Sequence, residues 1–134
     1  MTAPDPQPAI IEKLEWAVWP SFAMLAGIQL DLFTALSNGP MTIAQIATAI
    51  SVRPDKLKPL LYALAASNLL TIKDDVFANT GEADCFLVRG RSSYRGGKHE
   101  VLSTNWKAGL QTAESIRTGS PQSKLDFFAA SKEK

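Results

Sequence analysis

The sequence predicts a mainly α-helical fold: a winged helix-turn-helix with a short β-hairpin wing, extra N-terminal helices and a long C-terminal helix. Three observations carry the prediction. A capping pair, Thr42 and Gln45, stands ahead of one apolar stripe; Pro54 opens a second, leucine-rich stripe; and Asp74-Asp75 separates two short β-prone runs. The 134 residues have a formal net charge of +1 and a sequence pI near 7.8, so the chain has little surplus cation for a polyanion.

Residues 1–8 hold Pro4, Pro6 and Pro8 and are expected to form a disordered or extended tail. From Ala9 to Leu36 the chain is apolar on almost every face, and no charge falls between Trp16 and Leu30. The stretch is too short for a bilayer span and contains Pro20. It also lacks the basic start and the cleavage site of a signal peptide. A helix that is hydrophobic all round has to be buried all round, and a core of this size can hardly enclose it. A partner subunit is the expected cover. Ile11, Leu14, Trp16, Val18, Trp19, Phe22 and Leu25 are the expected dimer interface, with the large aromatics contributing most of the burial. Pro20 is expected to divide the segment into two helices, with Gly27 loosening the second near its start. Leu30–Leu36 then packs through Leu32, Phe33 and Leu36, and Ser37-Asn38-Gly39-Pro40 supplies the turn.

Thr42 followed three residues later by Gln45 is a capping box, so a helix begins at about Ile43 and buries Ile43, Ile46, Ala47 and Ile50. Ser51-Val52-Arg53 breaks it. Pro54 suits the first position of the next helix, where its missing N–H costs nothing. Leu57, Leu60, Leu61, Leu64 and Ala65 form the buried stripe of that helix, and Asn68 suits a left-handed terminator. Leu69–Lys73, the Asp74-Asp75 turn and Val76–Asn79 read as a two-stranded wing.

A DNA-reading second helix turns Arg, Lys, Asn or Gln toward the major groove. Here the outward face offers Asp55, Lys56, Lys58, Pro59, Tyr62, Ala63, Ala66 and Ser67, mostly small or uncharged, and Pro59 interrupts the ladder. Nucleic acid is therefore not an expected partner. One basic segment stands apart: Arg89, Arg91, Arg95 and Lys98 are interleaved with Gly90, Gly96 and Gly97. It fits a solvated loop between helices better than a phosphate site, since no Gly-Lys-Ser/Thr follows the glycines.

After the wing, Thr80 is expected to cap a short helix to about Val88, with Ala83, Phe86 and Leu87 inward. Cys85 is the single cysteine; it is expected to be a buried structural thiol in a reducing cytoplasm. A long helix over 98–118 follows, with Leu102, Trp106, Leu110, Ala113 and Ile116 on one face and Gly119 and Pro121 as its stop. Leu125–Ala130 offers Phe127 and Phe128 to a further contact or to a frayed end. Three segments result: a tail at 1–8, a winged-helix domain at 9–119 and a linker at 120–134.

Catalytic chemistry is missing from these residues. His99 is the only histidine and Cys85 the only thiol, so no metal ligand set forms. No nucleophile has a recognisable base beside it, and no strand, Gly-x-Gly turn and helix follow one another to cradle a nucleotide. Catalytic, cofactor-binding and metal residues are all expected to be absent.

The order of the apolar helix, Ile28-Gln-Leu-Asp-Leu-Phe-Thr-Ala-Leu36, Gly39-Pro-Met-Thr-Ile-Ala-Gln-Ile-Ala47, Leu57-Lys-Pro-Leu-Leu-Tyr-Ala-Leu64, then Asn68-Leu-Leu70 and a wing resembles a known domain. It is the N-terminal dimerisation domain of S-adenosylmethionine-dependent O-methyltransferases, the group that includes caffeate, hydroxyindole and polyketide enzymes. Ser115-Ile-Arg-Thr-Gly-Ser-Pro121 is similar to that family's link into its catalytic domain. The sequence departs from the family pattern near Pro59 and Tyr62, where basic residues are common, and at Asn68, where a glycine is usual. The Rossmann-like domain with the cofactor loop and the catalytic histidine lies outside these residues, and His99 does not correspond to that histidine.

The resemblance implies a dimerisation module, pairing with itself or with a longer relative, that walls a pocket for a small aromatic or polyketide-like substrate. Phe22, Met24 and Trp106 are the implied pocket wall, with plain core packing as the competing role. S-adenosylmethionine is implied for the full enzyme and not for this chain, which alone is expected to be inactive. Two other readings stay open: a winged-helix transcriptional regulator, and a stand-alone dimer with a small apolar ligand pocket.

Overall fold

A computed structural model describes residues 3–122. Residues 3–8 adopt no helix or strand, and the chain then enters α1 (Ala9–Trp16) and α2 (Val18–Gln29). The division falls at Ala17, not at Pro20 as the sequence suggests. Pro20 sits in the first turn of α2, where a proline is tolerated. The ring instead crowds the carbonyl four residues back, on Trp16, and removes that carbonyl's ladder donor, so the break appears one turn earlier. Gly27 consequently lies near the end of α2 rather than near its start, and it is buried there.

Asp31, in a left-handed conformation (φ 59°), turns the chain into α3 (Leu32–Ala35) and a single 3₁₀ turn, Leu36–Asn38. Leu32, Phe33 and Leu36 are fully buried, as their spacing predicts. The capping box at Thr42 is present in both directions. Gln45 N–H donates to Thr42 Oγ1 at 3.2 Å, and Thr42 N–H donates to Gln45 Oε1 at 2.9 Å. It opens α4 (Ile43–Ala49), and Pro54 opens α5 (Pro54–Ala66), which ends at Asn68 with φ 62°.

Strands β2 (Leu70–Lys73) and β3 (Val76–Asn79) form the expected hairpin across Asp74 and Asp75, both at positive φ. The wing nevertheless has three strands. A two-residue β1, Met41–Thr42, pairs antiparallel with β3 in register Met41 with Phe77 and Thr42 with Val76, giving the order β1-β3-β2. The core gathers Ile28, Leu32, Phe33, Ile46, Leu57, Leu61, Leu64 and Phe77 from α2, α3, α4, α5 and the wing.

Helix α6 (Gly81–Phe86) is capped by Thr80, whose hydroxyl accepts from Ala83 N–H at 3.4 Å. It ends two residues earlier than the expected Val88. Ala83 and Leu87 are buried as predicted, but Phe86 is exposed and Cys85 is exposed too, against the expectation of a buried thiol. Six helical residues make less than two turns, so the inward face goes to Ala83 and to Leu87 and Val88 beyond the helix end.

The chain divides by contacts into two compact units, at Gly96. The second does not hold the expected long helix. Among the described residues it carries three short ones: α7 (Gly96–Ser103), beginning at the division itself, then α8 (Asn105–Gly109) and α9 (Thr112–Thr118). Hydroxyls interrupt the ladder. Ser103 Oγ donates to the carbonyl of Glu100 at 2.6 Å, Thr104 Oγ1 to that of Val101 at 2.7 Å, and Thr112 Oγ1 to that of Gly109 at 2.7 Å. Leu110 and Ile116, read as core positions, are 89% and 77% exposed. Gly119, at φ 70°, does terminate the last helix. The contact expected of Leu125–Ala130 and most of the 120–134 linker lie outside the described residues.

Candidate functional site

Within the first unit, one large apolar surface is left uncovered among the described residues. Helix α1 buries no residue, and α2 buries only Gly27 and Ile28 near its end. Leu14 is 69% exposed, Trp16 65% and Trp19 57%, with Ile10, Ile11, Val18 and Phe22 also exposed. Of the residues read as a dimer interface, only Leu25 is half-buried. The Trp19 and Phe22 rings meet edge to face with centroids 6.0 Å apart, which fixes both rings on that surface.

The surface continues onto α5. Trp16, Trp19 and Pro20 on one side and Ala63, Ala66 and Ser67 on the other line an open, mostly apolar cleft of about 430 Å³. The small residues on the outward face of α5 thus have a place: they floor a cleft walled by two indoles. The opposite end of α5 carries an exposed, two-bond ion pair, Arg53 Nε to Asp55 Oδ1 and Arg53 Nη2 to Asp55 Oδ2, each at 3.1 Å.

The residues read as a pocket wall are placed differently from one another. Phe22 is on the exposed surface beside Trp19, whereas Met24 packs against the core cluster. Trp106, in the second unit, is half-buried with His99 edge-on at 5.8 Å.

The basic segment is tied to the first unit by its own arginines. Arg89 pairs with Asp31, its N–H donates to Thr34 Oγ1 at 3.1 Å, and its Nη2 donates to the Ile28 carbonyl at 3.3 Å. The guanidinium also lies 5.5 Å from the centre of the Tyr94 ring. Arg91 pairs with Asp84 at 3.0 Å, and Arg95 N–H donates to the Phe86 carbonyl at 2.8 Å. The sequence suggests a solvated loop here; the acidic partners Asp31 and Asp84 lie 58 and 7 residues away along the chain.

Among the described residues, no three His, Cys, Asp or Glu side chains gather as a metal group, and the sheet has only antiparallel pairs. No parallel strand leads through a glycine turn into a helix there, so these residues do not fit a nucleotide cofactor. No helix among them is by itself long and apolar enough to cross a membrane. The bent pair Ala9–Gln29 and Leu32–Asn38 reaches that length and composition only when taken together, across a 60° bend.

Comparison with known proteins agrees with this architecture. The family model described as the O-methyltransferase dimerisation domain matches residues 16–89, which include both walls of the cleft. The tetracenomycin polyketide synthesis 8-O-methyl transferase TcmO of Streptomyces glaucescens is 30% identical over 117 residues, covering 86% of this chain and 34% of that protein. A crystal structure of N,N-8-amino-8-demethyl-D-riboflavin dimethyltransferase (RosA) from Streptomyces davawensis superimposes with TM-score 0.73 at 26% identity, covering 87% of this chain and 36% of that one. Human N-acetylserotonin methyltransferase (ASMT), solved in complex with SAM, shares the fold at TM-score 0.76 and 18% identity, over 89% of this chain and 37% of that one. The chain spans about a third of the length of the curated relatives it matches.

Proposed function

The chain belongs to the O-methyltransferase dimerisation-domain family, and from that premise we propose that it is the pairing and pocket-wall unit of a small-molecule methyltransferase. The observation that carries the reading is the uncovered apolar surface of α1 and α2, with Trp16 and Trp19 at its centre. Surfaces of this size and composition are stable in water when another protein covers them.

Pairing is with a second copy, or with a longer relative that carries the catalytic part. The unit holds no cofactor itself; SAM is supplied by the catalytic part, and this chain's work is to pair and to offer exposed apolar side chains such as Phe22 to an apolar substrate. A small aromatic or polyketide-like substrate suits such a wall, in keeping with the polyketide named for TcmO. The accepting atom is oxygen or nitrogen, since RosA and OxyT are named as N,N-dimethyltransferases. The lone thiol of Cys85 goes with a cytoplasmic location.

A regulator reading is disfavoured by the surface of α5. Its C-terminal half floors the cleft, and the Arg53 guanidinium near its start is engaged by Asp55. The test is a set of titrations on the purified chain. The reading expects no calorimetric signal with SAM and no retardation of duplex DNA. A salt-sensitive DNA shift would replace it with the regulator, and saturable binding of a planar aromatic ligand with the stand-alone ligand binder.

A further inference from the structure

Helices α2, α4 and α5 are each followed by a left-handed residue at the position where glycine is usual, and none of the three is glycine. They are Asp31 (φ 59°), Ser51 (φ 58°) and Asn68 (φ 62°). A Cβ costs free energy in that region, and aspartate and asparagine tolerate it best, so Ser51 is the least expected of the three. Asp31 and Ser51 stand in the wall of one open cleft of about 470 Å³. Thr34 and Asn38 join them from α3 and the 3₁₀ turn, and Leu30 and Ile50 add aliphatic surface. None of these residues belongs to the apolar surface of α1 and α2 described above.

The polar groups are a carboxylate, an amide and two hydroxyls, and two of the four are held in advance. Arg89 pairs with the Asp31 carboxylate, and its backbone N–H donates to Thr34 Oγ1 at 3.1 Å. That pairing balances the one charge among the described residues of the lining. Asn38 and Ser51 are exposed, and their side chains hold no hydrogen bond among the described residues. An anion entering the cleft would meet the Asp31 carboxylate. A wholly apolar ligand would take four polar groups from water without replacing their hydrogen bonds. A neutral ring bearing several hydroxyls meets both demands. It donates to the carboxylate and the amide oxygen and accepts from the hydroxyls and the amide N–H, while its C–H face covers Leu30 and Ile50. We propose that this cleft binds a single sugar ring of the pyranose type, held by Asp31, Thr34, Asn38 and Ser51. Arg89 is then a positioning residue, fixing Asp31 and Thr34 before the ligand arrives.

Amide NMR spectra of the purified chain, titrated with the methyl pyranosides of glucose, galactose and mannose, test the proposal. At least one of the three is expected to shift the Asp31, Ala35 and Ser51 amides saturably at millimolar concentration, while cyclohexanol shifts none of them. Ser51→Gly relieves the left-handed Cβ and removes a ligand hydroxyl. It is expected to raise the urea midpoint and to weaken sugar binding about fivefold, the worth of one hydrogen bond. A Ser51 with a structural role alone would move the midpoint and leave the affinity as it was. Should Ser51→Gly not fold, the affinity of Asn38→Ala decides in its place. Three sugars that give no saturable shift would overturn the proposal. So would equal shifts with cyclohexanol, or a folded variant that binds as the parent does.

Discussion

Gly27 lies so near Phe33 that a Cβ built on it would come within 2.7 Å of the Phe33 Cε2 atom. Phe33 is fully buried, and a Leu64 methyl stands 3.4 Å from the same point. The end of α2, the α3 turn and α5 are therefore packed around a missing side chain.

Gly27→Ala opposes two effects. Alanine in a helix gains about 1 kcal/mol over glycine, while overpacking a closed core costs about 1–3 kcal/mol. The ring cannot move aside without displacing Leu64 or the α3 backbone, so overpacking prevails. Urea denaturation should show a net loss of up to about 2 kcal/mol; a raised midpoint would mean that the ring has room.

Thr42→Ala removes the hydroxyl that accepts from Gln45 N–H at the start of α4. The expected loss is about 1 kcal/mol, the ordinary worth of a side-chain cap. The same measurement on Gln45→Ala, which removes the reciprocal bond to Thr42 N–H, should give a smaller loss. Equal stability of Thr42→Ala and the parent would contradict the capping geometry.

Asp74 and Asp75 both sit at positive φ (51° and 60°) in the two-residue turn of the wing. Glycine occupies that region without the cost that a Cβ imposes, and Asp-Gly is a favoured pair in such turns. Asp75→Gly is expected to raise stability by about 0.5–1 kcal/mol. A drop in the thermal midpoint would show that the turn relaxes to another form.

Cys85 is exposed on α6, with its Sγ 3.7 Å from Ser93 Oγ. A thiol reagent should modify it fully in the folded protein without denaturant. Protection that lasts until unfolding would restore the buried thiol that the sequence suggests.

The parts of the fold legible in sequence are those set by chemistry within a few residues. Thr42 with Gln45, Pro54 at a helix start and Asn68 at a helix end each act on their own neighbours, and each is where it was read. Strand β1 was not legible, because two residues have no period, and their strand character comes only from pairing with Phe77 and Val76. The Arg89–Asp31 pair is hidden for the same reason, a contact across 58 residues. The broken helix after Gly96 is a third kind of failure. Apolar spacing over 98–118 was helical, but Ser103, Thr104 and Thr112 divert their hydroxyls to nearby carbonyls and divide it. At the candidate site, the apolar character of Trp16, Trp19 and Phe22 was plain in sequence. The cleft was not, since it requires Ala63 and Ala66 of α5 to come beside them.

The central claim is that the α1–α2 surface is covered by another protein chain. Sedimentation equilibrium over a dilution series tests it most directly. The account predicts a particle of twice 14.5 kDa that persists to low micromolar concentration. A stable 14.5 kDa particle throughout, with Trp16 and Trp19 open to a soluble quencher, would contradict it.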